Sequence, residues 1–256
     1  MPPQRHSRTF VTGFARGLSV IETFGPGHRS MSVAEVAERT GLDRAVTRRL
    51  LLTLVELGFA RADGRQFELT SKVLKLGYSF LAASALDATL KPYLDRLSAE
   101  IGETVSVSVL EGTDAVIVAR SERPSHRVAF AVTMGMRLPA FASASGRVLL
   151  SALTDGEVAG LLKRTRRQKF TAHTVTGERE LPRLVALARS EGHAVSWEEL
   201  EEGLVSFAVP IRNRIGAVVA SLNTTANAAR ARKQRTATQV LPPLKATARR
   251  MTEVLP

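Results

Sequence analysis

Residues 32–57 place the tightest constraint on the fold, because their pattern is typical of two short helices joined by a glycine turn. Ser32 can cap the first helix, and Glu35 three residues later completes a capping box. Gly41 predicts the end of that helix, and Asp43 can cap the next one. Along the second helix, the residues that we expect to face inward repeat every three or four positions: Thr47, Leu50, Leu54 and Leu57.

The opposite face of this second helix is basic, with Arg44, Arg48 and Arg49. A helix that enters a DNA major groove needs one side that packs and one that meets negative charge. A hairpin follows, with predicted strands at 59–61 and 65–69 and the dipeptide Asp63-Gly64 at its turn. Helix pairs also occur in bundles that never bind DNA, but the order of these signals favours a winged helix-turn-helix.

Composition bounds the class of protein. A chain of 256 residues exceeds one typical domain and favours a small head and a larger body. It contains no cysteine, which excludes disulfides and thiolate metal sites. No apolar run approaches the ~18 residues of a membrane helix, and no secretory signal begins the chain, so we expect a cytoplasmic protein without a membrane partner. The net charge of +12 favours a polyanionic partner but is spread over both parts.

The order of predicted elements gives three parts: a head at 10–70, a linker helix at 71–85, and a body at 86–256. A helix at 13–24 precedes the two capped helices of the head. The linker helix is apolar around most of its circumference and needs a partner, which is either the same helix of a second subunit or its own chain. In a homodimer, two recognition helices would face a pseudo-palindromic site.

The body has the pattern of an α+β domain with an antiparallel sheet. Valine- and isoleucine-rich runs predict strands at 104–110, 115–119, 128–133, 207–211 and 215–222. Helical spacing predicts helices at 87–101, 143–153, 155–163 and 180–190. A last helix at 232–254 is predicted to be interrupted by Pro242 and Pro243.

Signatures of catalysis are missing from the sequence. It has no nucleophile elbow, phosphate-binding loop or dinucleotide motif, and its five histidines lack metal-ligand spacing, so we predict no catalytic residue, metal or cofactor. An acidic run could hold a metal, but four like charges so close are more typical of a solvated turn: Glu198, Glu199, Glu201 and Glu202. Small residues at 142–147 open a helix whose free N–H groups could bind a carboxylate or could simply be capped and packed. An enzyme with a regulatory winged-helix head is the alternative function.

Several segments resemble one family. In the head these are FVTGFARGLSVI, TGLDRAVTRRLLLTL and LTSKVLKLG, and in the body MGMRLPAFASASGRVLLS, EEGLVSFAVPI and VVASLNTT. Their order from residue 10 to near the C-terminus resembles the IclR family of bacterial transcriptional regulators. Within it, FVTGFARGL and RLPAFASASGRVLL look most like the PcaR, PcaU and PobR branch, which regulates aromatic acid catabolism through the β-ketoadipate pathway.

The resemblance implies a winged helix-turn-helix, a linker helix and a GAF-like α+β effector-binding domain, with no catalysis. It implies a homodimer or tetramer that binds double-stranded operator DNA and responds to a small carboxylate effector by changing its DNA binding or its contact with RNA polymerase. The candidate DNA-binding residues are then Arg44, Ala45, Arg48 and Arg49 on the recognition helix, with Arg61 and Arg65 on the wing. Ala45 and Val46 depart from relatives that often carry hydroxyl residues there.

The resemblance also carries effector-binding positions onto this chain: Ala144, Ser145, Ser196, Ser206, Asn223 and Thr225. Ala144 stands where some relatives have glycine, which narrows the pocket slightly. Hydroxyls and an amide can hold carboxylate oxygens by hydrogen bonds. Arg137 could add a charge-assisted hydrogen bond if it points inward, or it could be a surface arginine.

Overall fold

The computed structural model describes residues 7, 9–25, 27–76, 86–121, 133–234 and 236–254. The chain divides into two compact units, Met1–Ala83 and Ser84–Pro256. Most of the predicted strand at 128–133 and the second half of the linker helix at 71–85 lie outside the described residues. Of that linker, Ser71–Val73 forms a single 3₁₀ turn.

The first unit is a winged helix-turn-helix. It consists of α1 (Thr12–Glu22), β1 (Ser30–Ser32), α2 (Val33–Thr40), α3 (Arg44–Glu56), β2 (Ala60–Asp63) and β3 (Gln66–Leu69). The three strands form an antiparallel sheet in the order β1-β3-β2. The sequence pattern did not predict β1, because three residues are too few to show a period of two and the last of them is the cap of α2.

The predicted caps are present in the structure. The Ser32 backbone N–H donates to Glu35 Oε2 at 2.7 Å, and the Glu35 N–H donates to Ser32 Oγ at 3.4 Å. Hydrogen bonds from the side chain and backbone of Ser32 lower the pKa of Glu35. Gly41 ends α2 with a φ of 68°, a conformation that glycine adopts without strain. Asp43 Oδ1 then accepts from the Ala45 N–H at 2.7 Å.

Two details of the head differ from the sequence prediction. On α3 the buried residues are Thr47, Leu51 and Leu54, whereas Leu57 is 52% exposed. The period of 3.6 residues brings Leu51 to the centre of the inward face, and Leu57 lies beyond the last helical residue. The hairpin pairs Asp63 with Gln66, so its two-residue turn is Gly64 and Arg65 instead of Asp63-Gly64.

The second unit is an α+β domain. Its elements are α4 (Leu86–Ile101), β4 (Val105–Glu111), β5 (Asp114–Arg120), β6 (Arg137–Pro139), α5 (Ala144–Leu150), α6 (Asp155–Arg164), α7 (Glu180–Glu191), β7 (Ala194–Trp197), β8 (Leu204–Arg212), β9 (Val218–Asn227), α8 (Ala228–Gln234) and α9 (Thr236–Thr252). The six strands form one antiparallel sheet in the order β6-β5-β4-β9-β8-β7.

The two faces of this sheet differ. One face packs Val107, Phe207 and Leu222 against the apolar sides of α4 and α9 and forms the main core. The other face lies under α5, where Ala208 of the sheet packs against Val148 of the helix. On this second face the strands carry buried polar side chains, among them Ser106, Ser108, Ser196, Ser221 and Asn223. A sheet with one apolar and one polar buried face leaves room for a polar ligand site on the second.

The C-terminal helix corrects another prediction. Pro242 and Pro243 lie inside α9 and do not interrupt it. Each proline lacks the N–H that would bond one turn back. The helix nevertheless continues, because Val240, Leu244 and Met251 are buried against the sheet and this packing outweighs the local preference. Across the described residues, no helix is both long enough and apolar enough to cross a membrane.

Candidate DNA-binding helix and ligand pocket

The outward face of α3 presents the residues that the sequence predicted for DNA contact. Arg44, Ala45, Arg48 and Arg49 are exposed, on the side away from the buried Thr47. Within the described part of the chain, none of these three arginines forms an ion pair. Their guanidinium groups are therefore available to phosphates and base edges, which is what a recognition helix requires.

The wing is organised by one ion pair. Arg61 Nη2 lies 2.6 Å from Glu68 Oε2 across the β2–β3 ladder. This hydrogen bond raises the pKa of Arg61 and lowers that of Glu68. The pair holds Arg61 against the sheet, while Arg65 is exposed at the tip of the hairpin. Of the two predicted wing residues, Arg61 is therefore paired with the carboxylate of Glu68, and Arg65 is not.

In the second unit, a pocket opens between the polar face of the sheet and the start of α5. Its empty space is about 550 Å³, part of it open to solvent. Six of the seven sequence-predicted effector positions line it: Ala144, Ser145, Ser196, Ser206, Asn223 and Thr225. Apolar walls come from Ile117, Leu138, Leu200 and Leu204.

Close backbone packing positions the α5 side of the pocket. Ser143 caps the helix, and its Oγ accepts from the Gly146 N–H at 3.1 Å. A Cβ at Gly146 would lie 2.1 Å from Ala140 Cα, so only glycine lets the first turn approach this backbone. Ala144 and Ser145 are consequently buried at the pocket's edge.

The strands supply a row of hydroxyls to the pocket floor. Register places Ser196 opposite Ser206, and Ser206 opposite Thr225, so the three lie side by side across β7, β8 and β9. The hydroxyls of Ser206 and Thr225 are 3.0 Å apart. Ser196 Oγ donates to the carbonyl oxygen of Ala142 at 2.9 Å. Asn223 Oδ1 is buried and accepts no hydrogen bond from any described residue.

Part of the acidic run is not solvated, contrary to the sequence prediction. The side chain of Glu199 is 6% exposed and forms a two-pronged ion pair with Arg147, which is 3% exposed. Arg147 Nη1 and Nη2 each donate to a carboxylate oxygen at 2.6 Å. Glu198 also accepts from the Gly203 N–H within its turn and from Arg232 Nη2 at 2.7 Å, and of the four glutamates only Glu202 is exposed. The partner of Glu199 lies 52 residues away, so sequence spacing gave no signal for the pair.

Arg137 lies outside the pocket. Its Nε and Nη1 pair with Asp114 Oδ2 and Glu111 Oε2, both at 3.1 Å. Partial burial opposes its charge, but the hydrogen bonds to Asp114 and Glu111 prevail and raise the pKa of Arg137. Of the two alternatives that the sequence left open for Arg137, the structure therefore favours a surface arginine, and its neighbour Leu138 lines the pocket instead. Among the described residues, no group of three potential ligand side chains could hold a metal ion.

Comparison with known families agrees with both halves of this arrangement. Residues 79–253 match the family model of the bacterial transcriptional regulator IclR C-terminal domain, and residues 14–64 match the IclR helix-turn-helix domain. The chain belongs to the IclR family. The IclR fold and family predicted from the sequence are thereby confirmed, including the antiparallel sheet of the second domain.

Individual IclR relatives support the predicted branch. The chain is 37% identical to the Pca regulon regulatory protein of Pseudomonas putida, over 94% of this chain and 82% of that protein. It is 35% identical to the p-hydroxybenzoate hydroxylase transcriptional activator of Acinetobacter baylyi, over 93% and 90%. An IclR homologue from Microbacterium hydrocarbonoxydans, solved in complex with 4-hydroxybenzoate, superposes with a TM-score of 0.77 at 25% identity, covering 92% of this chain and 95% of that one.

Proposed function

We propose that this IclR regulator binds operator DNA and controls genes of aromatic acid catabolism in response to a small carboxylate that occupies the pocket. The observation that carries the proposal is the convergence of Ala144, Ser145, Ser196, Ser206, Asn223 and Thr225 on one pocket. The relatives support it, since two are named as regulators of the Pca regulon and of p-hydroxybenzoate hydroxylase, and a third binds 4-hydroxybenzoate.

The chemistry of the pocket suits an aromatic acid. Ile117, Leu138 and Leu204 offer apolar surface to the faces of a ring. The hydroxyls of Ser206 and Thr225 can donate to a carboxylate or phenolic oxygen, and Asn223 Oδ1 can accept from a phenolic hydroxyl. Nothing in the described residues favours the alternative of an enzyme with a regulatory head.

The DNA-binding half acts through a homodimer or a tetramer in this proposal. A two-fold axis would bring two copies of α3 to half-sites about one helical turn, or a multiple of it, apart. Arg44, Arg48 and Arg49 would contact phosphates and bases, with Ala45 against the groove and Arg65 at the wing. Effector binding would then change operator affinity or a contact with RNA polymerase, in the cytoplasm.

Fluorescence anisotropy with palindromic promoter fragments tests the DNA half. We expect affinity to fall steeply with salt, because bound arginines release counterions from phosphates. Arg48→Ala should weaken binding by about 5- to 150-fold, the range for losing a direct base contact. Arg183→Ala, an exposed arginine on α7, is the matched control and should bind as the wild type. Undetectable or salt-insensitive binding would contradict operator recognition.

A thermal-shift screen tests the effector half. We expect at least one acid among 4-hydroxybenzoate, protocatechuate and β-ketoadipate to raise the melting temperature, because a ligand that binds only the folded state stabilises it. If none of these or similar carboxylates shifts the melting temperature, the effector assignment is wrong even when DNA binding stands.

A further inference from the structure

The polar face of the sheet carries an arginine that the sequence analysis did not single out. Register pairs Arg120 on β5 with Ser106 on β4, and Ser106 with Asn223 on β9. The same line continues from Asn223 to Ala208 on β8, which packs under α5. Directly paired residues of antiparallel strands share a face, so Arg120 lies on the face that forms the pocket floor.

A bulge gives β5 two residues on this face. The β4–β5 register shifts between Val107 and Ser108, so that Arg120 pairs with Ser106 and Ile117 with Ser108. Three residues apart, Ile117 and Arg120 would lie on opposite faces of a regular strand. Ile117 lines the pocket, and the bulge brings Arg120, which is not itself one of the lining residues, to the same face of β5 three residues further along the strand. Bulges commonly re-aim side chains next to functional sites.

Arg120 also has an unmet hydrogen-bonding requirement. Its Nε is buried and donates to no described residue. None of the ion pairs among the described residues includes Arg120. A guanidinium remains charged at all ordinary pH values, so a partly buried arginine calls for an anion. Two strands away, Asn223 Oδ1 is likewise buried without a partner. The Cα atoms of Arg120 and Asn223 are separated by two strand spacings, about 10 Å.

We propose that Arg120 is the residue that binds the effector's carboxylate. The inference rests on the proposed function and deepens it by dividing the pocket into two ends. At the β5 end, the guanidinium of Arg120 donates two parallel hydrogen bonds to the carboxylate. At the β9 end, Asn223 Oδ1 accepts from a hydroxyl of the same ligand. Between them, Ile117 contacts the apolar middle of the molecule.

This division of the pocket excludes Arg137, the arginine considered from the sequence, as the ligand of the carboxylate. Arg137 is already held by two carboxylates, Asp114 and Glu111, and binding an effector would require breaking both pairs. Arg120 forms no ion pair with a described carboxylate, so an effector could bind it without breaking one. The consequence is a ligand preference: the pocket should select a carboxylic acid over its neutral amide, which has nearly the same shape but no charge.

Isothermal titration calorimetry on the full chain tests this preference. The probes are whichever of 4-hydroxybenzoate and protocatechuate the wild type binds more tightly, and the primary amide of that acid. For Arg120→Gln we expect acid affinity to fall by about 10- to 150-fold, the range for a lost hydrogen bond to a charged group, with little change for the amide. Arg120→Lys should retain part of the preference, since it keeps the charge.

Arg137→Gln is the matched control and should keep the wild-type ratio of acid to amide affinity. Arg120→Met provides a second neutral variant in case Arg120→Gln does not fold, which the melting temperature without ligand will show. If a folded neutral variant of Arg120 had the same ratio of acid affinity to amide affinity as the wild type, this inference would be overturned. The proposed function would still stand. Equal losses in the Arg120 and Arg137 variants would overturn the inference as well. A wild-type chain that binds no carboxylate would overturn both.

Discussion

At the scale of single residues, the ion pair of Arg147 and Glu199 links two walls of the pocket. Besides Arg147, Glu199 Oε2 accepts from the Val175 N–H at 3.1 Å, and Arg147 Nε donates to the Phe141 carbonyl at 3.2 Å. Burying two charges is costly unless their remaining hydrogen-bonding groups are satisfied, and here these extra bonds contribute to that. The pair therefore joins α5 to the turn that carries Leu200 and Glu201 over the ligand space.

Removing one member of this pair should be strongly destabilising. We expect Glu199→Ala to lower the free energy of unfolding by about 3–5 kcal/mol, because it leaves Arg147 as a buried, unmatched charge. The double variant Arg147→Met with Glu199→Leu should recover much of that loss. Urea denaturation followed by the fluorescence of Trp197, the single tryptophan of the chain, reports on this domain.

The matched control for the pair is Arg189→Ala. Arg189 Nη1 pairs with Asp155, whose side chain is 88% exposed. Exposed pairs typically contribute about 1 kcal/mol or less, although Arg189 also bonds two backbone carbonyls. If Glu199→Ala cost no more than Arg189→Ala, the ion pair would have no special role in the domain.

Residues differ in how far the sequence could predict them. The caps Ser32 and Asp43 were predictable, because each bonds within its own helical turn. Glu199 was not, because the burial of a carboxylate depends on an arginine that the fold brings from a distant helix. The exclusion of Arg137 depends on the register between β5 and β6. The face on which Arg120 lies depends on the bulge between β4 and β5, for which the sequence carries no signal.

At the scale of elements, α5 determines the shape of the pocket through its smallest residue. All seven residues of α5 are buried, and Gly146 lies against the backbone of Ala140. The sequence predicted a helix here from the helical spacing of its apolar residues. The reason for the glycine appears only in the structure, since the segment that it contacts folds back against the helix.

Gly146→Ala should therefore destabilise the domain. The new Cβ would lie 2.1 Å from Ala140 Cα and 2.2 Å from its carbonyl oxygen, and both are backbone atoms that cannot rotate away. We expect a loss of about 1–3 kcal/mol or more from the enforced backbone shift, and weaker ligand binding because Ala144 and Ser145 move with it. The same urea titration and ligand titration measure the two effects.

Gly160→Ala on α6 is the control for this element. A Cβ at Gly160 would meet no atom within 4 Å, and alanine favours a helix interior over glycine by up to about 1 kcal/mol. We expect this variant to be as stable as the wild type or slightly more so. Equal effects of the two substitutions would show that helix propensity, and not the contact with Ala140, governs position 146.

At the scale of the whole molecule, the chain carries the basic face of α3 in one compact unit and the pocket in the other. The head could be predicted largely from local signals, since caps, turns and a basic face lie close together in the sequence. The body's sheet could not be predicted in the same detail, because its order joins β4 to β9 across more than 100 residues. If such a regulator responds through its DNA affinity, occupancy of the pocket must change the free energy of operator binding.

That coupling has a defined size and symmetry. We expect a bound effector to change operator affinity by about 5- to 150-fold, the usual range of allosteric coupling, and operator DNA to change effector affinity by the same factor in the same direction. Measuring each affinity with and without the other ligand closes the thermodynamic cycle. Arg48→Ala should leave effector affinity in the absence of DNA unchanged, and Thr225→Val should leave operator affinity in the absence of effector unchanged. If the effector affinity and the operator affinity were independent of each other, the pocket would not control DNA binding by α3 at equilibrium. Any response to the effector would then have to act through RNA polymerase.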